Sequence, residues 1–222
     1  MGKDLLAPQQ ARSRESMLKL LKAAAEVLGQ HGVAGATIPR IAQHAGLTPG
    51  AVYRRFPDKD ALLETVILGI FDRQDKRLRM AFTPDVARQI PLVVFADQLI
   101  SSMLVSYRAG AGLLRAVRQF VQSRANTPFY RKVVRLEMRS FRYVVDLFLV
   151  HRKEMRHRDP DKAVSFAIIM LTSTLIELLL VDHDMKNWCL VIPRDDQFLK
   201  QELLRSFLTY LGVAPKPRHS QT

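Results

Sequence analysis

The sequence predicts an all-α protein, and three observations predict it. Apolar residues recur at helical spacing in segment after segment, no strand-type alternation persists, and glycine or proline punctuates the chain at helix-length intervals. The expected organisation is a disordered lead-in at 1–11 and an N-terminal three-helix domain at 12–60. Helix 59–79 then links it to a helical domain at 80–213, and 214–222 forms a disordered tail.

Composition narrows the class. Of 222 residues, 48% are hydrophobic and 25% charged, which is ordinary for a globular protein. The 34 Lys and Arg against 21 Asp and Glu leave a net charge of +13, and the pI near 10.3 points to a polyanionic partner. One cysteine, Cys189, excludes an internal disulfide and a cysteine-based zinc cluster and suits a reducing compartment. The opening MGKDLLAPQQ has no apolar core of a secretion signal, so a cytoplasmic location is expected. Residues 163–181 are apolar and long enough to cross a bilayer, but Glu177 and four hydroxyl residues argue against a span, and no membrane partner is expected.

The first helix takes its cap from Ser13 or Ser16, buries Met17, Leu20, Leu21, Ala24, Val27 and Leu28, and ends at Gly32. Arg12 and Arg14 at its start are either a solvated end or a basic arm reaching DNA phosphates. Thr37 caps the next helix, whose Ile38, Ile41, Ala42 and Ala45 mark a buried face, with Pro39 tolerated in the first turn. Gly46 closes that helix and Leu47 plugs the turn. Thr48-Pro49 then repeats the start signal for a helix over 49–56 with Val52 and Phe56 on one side. Two short helices about a glycine turn, the second ending in Tyr53, Arg54 and Arg55, make a helix-turn-helix. Pro57-Asp58 then leads into a helix with Lys59 at its first turn, where the helix dipole and the ammonium together suit one phosphate.

The run Thr37, Ile41-Ala42, Ala45-Gly46-Leu47-Thr48, Tyr53, Phe56, Lys59 and Leu62 resembles the DNA-binding domain of the TetR family, over roughly residues 31 to 65. Arg55 departs from it, standing where the family often has histidine or tyrosine. Within the recognition helix, small Pro49, Gly50 and Ala51 let the backbone approach the major groove, and Ala51 can touch a thymine methyl. Arg54 is the first candidate for a base contact and Arg40 the second. Thr37, Thr48, Tyr53, Arg55 and Lys59 read as phosphate contacts, with packing as the other role open to Tyr53.

The remainder reads as helices at 92–107, 113–123, 127–151, 161–181 and 195–211, with a break at Ala109-Gly110-Ala111-Gly112, a turn at 156–160 and a loop at 183–193. On 127–151, Arg131, Arg135, Arg139, Arg142 and Asp146 share one face and Val134, Phe141, Val145 and Phe148 the other. That basic stripe is a solvated face or a second nucleic-acid surface. Glu137 falls on the apolar side, so it either pairs with Arg115 or Arg118 or orients a ligand. Helices 161–181 and 195–211 have more apolar surface than one core covers, so a homodimer through both is expected, and the resemblance implies the same.

Enzyme chemistry finds no support. Asp182-His183-Asp184 lacks metal-ligand spacing, and the glycines at 110–112 make no dinucleotide loop, so neither catalysis, a metal nor a cofactor is expected. The resulting expectation is a dimeric repressor on a palindromic operator in double-stranded DNA. A small, largely apolar effector would release it by shifting the helix that begins near Lys59. Met103, Phe120, Glu137, Phe141, Met170 and Thr174 are the candidate pocket residues. The rival is an architectural protein that binds DNA without sequence preference.

Overall fold

The computed structural model describes residues 6–180 and 195–213, with side chains from residue 13 onward. The helices are α1 Leu6–Gly35, α2 Ile38–His44, α3 Pro49–Tyr53, α4 Lys59–Ala81, α5 Pro84–Gln89, α6 Leu92–Gln122, α7 Pro128–Leu149, a 3-10 turn Arg152–Glu154, α8 Pro160–Leu180 and α9 Asp196–Tyr210. No strand occurs among the described residues, so the fold is all-α. Outside the described residues lie the first five positions, Val181, the stretch with Asp182, His183, Asp184 and Cys189, and the tail from 214.

Starts follow local chemistry. Thr83, Thr127, Asp159 and Asp195 each accept a backbone N–H from the first turn of the helix that follows. Helices α1 and α6 differ from the sequence expectation. Helix α1 begins at Leu6, within the expected lead-in, and kinks rather than ends at Gly32. Helix α6 is continuous through residues 109–112, where a break was expected.

A mid-helix glycine costs only about 1 kcal/mol against alanine, so Gly-Ala-Gly need not break a helix that packing supports. Packing does support it. A Cβ built on Gly112 would stand 2.5 Å from the Gly29 carbonyl oxygen, so α1 and α6 touch where neither has a side chain.

The chain forms two compact units, Met1–Gln74 with Gly110–Leu136, and Asp75–Ala109 with Glu137–Thr222. The first buries Leu20, Val27 and Leu28 of α1 with Ile41 of α2, Val52 of α3, Leu63 and Ile67 of α4, Phe120 of α6 and Phe129 of α7. Each comes from a stripe at helical spacing, and removing these side chains from water is the main source of stability.

The second unit is built on a chain of rings, Phe82 to Phe95 at 5.8 Å, Phe95 to Phe148 at 4.9 Å, and Phe148 to Phe207 at 4.9 Å. The apolar helix α8 contributes Val164, Ile168, Leu171 and Leu175 to this core, so one of its faces is a core face.

Among the described residues of the second unit, one carboxylate is buried. Asp75 accepts from Arg79 Nε at 2.9 Å and from Ser140 Oγ at 2.8 Å, with Arg139 Nη2 at 2.9 Å. Burial by itself pushes this carboxyl up, but the hydrogen bonds from Arg79 and Ser140 and the charges of Arg79 and Arg139 together hold it below its ordinary 3.8. A depressed carboxyl stabilises the fold above its unfolded pKa, and that contribution is lost as pH falls through the folded one. Asp75→Asn is therefore expected to lower stability to urea by about 1–2 kcal/mol at pH 7. The gap to wild type should narrow as pH drops below 3.8, read from paired denaturation curves.

Candidate nucleic-acid interface

The turn between α2 and α3 is made by backbone geometry that its residues demand. Gly46 has φ of 66°, a left-handed conformation that costs other L-residues about 1–2 kcal/mol. Its N–H donates to the Gln43 carbonyl at 3.1 Å, and the Leu47 N–H reaches the Ala42 carbonyl at 2.8 Å. That pair of bonds is a Schellman closure of α2, and Leu47 packs back on the core as the motif requires.

Both helices start alike. Thr37 Oγ1 accepts from the Arg40 N–H at 3.4 Å, and Thr48 Oγ1 from the Ala51 N–H at 3.2 Å. Helix α3 ends at Tyr53, three residues before the expected Phe56, and a tight turn follows in which Phe56 N–H still bonds the Val52 carbonyl.

The result is a short helix with one anchor and one open face. Val52 is 0% exposed, while Tyr53 is 54% exposed. Thr48, Pro49, Gly50 and Arg54 are also exposed and Ala51 is half-buried. A Cβ on Gly50 would meet nothing within 4 Å, so this end of α3 is bare backbone open to approach. Tyr53 therefore does not serve as core packing.

The cations around this face divide into two sets. Arg54 and Arg14 are exposed. Arg12 lies in α1, but its side chain is outside the described residues. Three others are turned onto α1 or the segment just beyond its kink. Arg40 Nη1 donates to the Gly35 carbonyl at 2.8 Å, Arg55 Nη1 to Ser16 Oγ at 3.1 Å, and Lys59 Nζ to the Val33 carbonyl at 3.2 Å.

Sequence reasoning placed these three only as nucleic-acid contacts and missed their role as struts. Guanidinium and ammonium groups carry several donors, so a strut keeps N–H groups for a phosphate. Two further ties had no local signal. His44 Nε2 meets Glu26 Oε2 at 2.9 Å, joining α2 to α1, and Arg124 pairs with Asp60 in the first turn of α4.

The six candidate pocket residues are not brought together. Phe120 is in the core of the first unit, edge-on to Phe129 at 5.7 Å. Met103 and Phe141 pack on the core of the second. Glu137 is exposed on α7, where an apolar-side position was expected, and Met170 and Thr174 lie on the exposed face of α8. The helical wheel gave Glu137 a side but not the depth at which neighbours would cover it.

Gly46 tests the turn. Gly46→Ala is expected to destabilise the first unit by about 1–2 kcal/mol and Gly46→Asn by less, since asparagine tolerates this backbone conformation. Thermal melts of the two variants beside wild type check it.

Residues 20–66 match the family model for bacterial regulatory proteins of the tetR family. TtgW of Pseudomonas putida, described as an uncharacterized HTH-type transcriptional regulator, is 37% identical over 76 residues, 34% of this chain and 54% of TtgW. The HTH-type transcriptional regulator SrpR of Pseudomonas putida is likewise 37% identical over 76 residues, 34% of each chain. The chain thus matches about half the length of the first relative and a third of the second. Among solved structures, the transcriptional regulator FadR of Bacillus subtilis, in complex with stearoyl-CoA, superposes with a TM-score of 0.62 at 19% identity, over 87% of this chain and 98% of that one. At that identity the likeness is one of fold.

Proposed function

Residues 20–66 match the tetR family of bacterial regulatory proteins, and on that premise we propose that this chain is a member of the family and a dimeric, sequence-specific transcriptional repressor. The observation that carries the proposal is α3 itself, anchored by fully buried Val52 and presenting Thr48, Pro49, Gly50, Tyr53 and Arg54 outward. Arg54 reads a base edge and Ala51 a thymine methyl. Thr37, Thr48 and Tyr53 hold phosphates, joined by Arg12 and Arg14 from α1. Arg40, Arg55 and Lys59 hold α1 against the motif and use their remaining donors on the backbone of the duplex.

A second copy of the chain supplies the two-fold axis. Helix α8 leaves Phe166 and Ile169 each 50% exposed beside Met170, and α9 leaves Phe198 exposed. Apolar residues on one exposed face call for a partner. A dimer through α8 and α9 covers them and sets two recognition helices about 34–36 Å apart, on the half-sites of a near-palindrome.

The effector acts in the second unit. His151 is 6% exposed, its Nε2 has no hydrogen-bond partner among the described residues, and its ring lies 6.0 Å from that of Phe95. The other ring nitrogen, Nδ1, meets Glu154 Oε1 at 2.6 Å, and the one unsatisfied Nε2 beside Phe95 suits a mostly apolar ligand carrying one polar group. Ligand binding there would shift α4 and thereby the spacing of the recognition helices.

Selection of bound fragments from random duplex DNA at about 0.15 M salt tests the proposal. Wild type is expected to enrich a near-palindrome. Arg54→Ala should change the preferred bases at a cost of about 1–3 kcal/mol per site, and Tyr53→Phe should weaken all sequences alike. Ile169→Glu should yield monomers by sedimentation and lose the palindrome. Binding without any enriched sequence would support the architectural rival instead.

A further inference from the structure

The positive charge of the first unit is unevenly placed. Between Gly110 and Leu136 stand Arg115, Arg118, Arg124, Arg131, Lys132 and Arg135, with no Asp or Glu among them. This short stretch supplies nearly half of the net charge of +13. A merely solvated face interleaves both signs, as α1 does with Glu15 and Lys19 at 2.8 Å and Lys22 and Glu26 at 3.8 Å. Between residues 110 and 136 the α6–α7 corner has no acidic residue of its own to interleave, and like charges left together repel.

The apolar residues decide where these cations point. Ala116, Val117, Phe120, Val121, Phe129 and Val133 face the core. Arg115, Arg118, Arg131, Lys132 and Arg135 consequently emerge exposed, with Arg131 Nη1 also donating to the Asn126 carbonyl at 3.0 Å. Arg124 behaves differently. Its guanidinium lies 3.6 Å over the Phe120 ring and pairs with Asp60. Asp60 is in the first turn of α4, next to Lys59 and a few residues after the recognition helix. The pair therefore clamps the corner beside the end of α4 that adjoins the recognition motif, within one compact unit.

We propose that the α6–α7 corner is a second phosphate-binding surface, which engages duplex DNA flanking the bases read by α3. It rests on the reading of α3 as a DNA-recognition helix. A membrane surface fits less well, because no large hydrophobic residue between 110 and 136 is exposed, and an interfacial helix needs an apolar face to insert. The contact carries no sequence information. It adds affinity and salt dependence through counterion release.

The test uses the full chain, wild type and the triple variant Arg118→Gln/Arg131→Gln/Lys132→Gln, on two duplexes. One is trimmed to the selected palindrome and the other carries additional base pairs on each side. The triple variant should melt as wild type does, bind the trimmed duplex equally well, and bind the flanked duplex about 10–100-fold more weakly, with the log K against log salt slope reduced by about 2–3 for each protomer.

Equal affinity and slope on the flanked duplex would overturn the proposal, as would an equal loss on both duplexes. Anionic phosphatidylserine vesicles that outcompete the flanked duplex for wild type, and not for the triple variant, would overturn it in favour of a lipid surface. Failure of wild type to retain either duplex would remove the parent reading of α3, an outcome separate from any difference between the two proteins.

Discussion

A helix of five residues has no stability of its own, since nucleation alone outweighs what its few hydrogen bonds return. Helix α3 is that short, and the rest of the first unit can be understood as what keeps it in place. Thr48 satisfies its first turn, the left-handed Gly46 delivers the chain to that cap, and Val52 joins the core that α1, α2 and α4 share as the single buried anchor of α3. Because one residue secures the helix, its opposite face can remain polar and open. The proposed function uses that open face.

Helix α1 is the frame for this arrangement. Its apolar stripe carries the core, and its polar surface and C-terminal carbonyls receive the struts. The carbonyls left over beyond a helix end need donors, and cations near a helix C-terminus are electrostatically favoured there. Lys59 supplies such a donor at Val33, and Arg40 supplies another at Gly35. The same residues thus hold the fold and stand beside the proposed interface, so that loss of a cation here removes packing geometry as well as charge.

The second unit solves a different problem. Its core is aromatic and closed, and its buried carboxylate is satisfied by three partners. What it leaves open is the outer face of α8, where Phe166 and Ile169 stand exposed. A helix apolar on nearly all sides must bury both faces. One is met by its own core, and the other is the reason for reading this unit as half of a dimer.

The recognition motif was legible in the sequence because it is held by contacts between near neighbours. Thr37 with Arg40, Thr48 with Ala51, and Leu47 with Ala42 span three to five positions, and each depends on residue types that local chemistry selects. Helical stripes such as Leu20, Val27 and Leu28 were legible for the same reason, since period alone separates buried from exposed. Tertiary structure decided what period cannot encode. It turned Gly112 from an expected break into a point of helix contact, assigned Phe120 and Phe141 to different cores, and set Glu137 and Met170 at the surface. It also directed Arg55 to Ser16 and paired Arg124 with Asp60. Those pairings join residues tens of positions apart, so only the packed chain determines which donor reaches which acceptor.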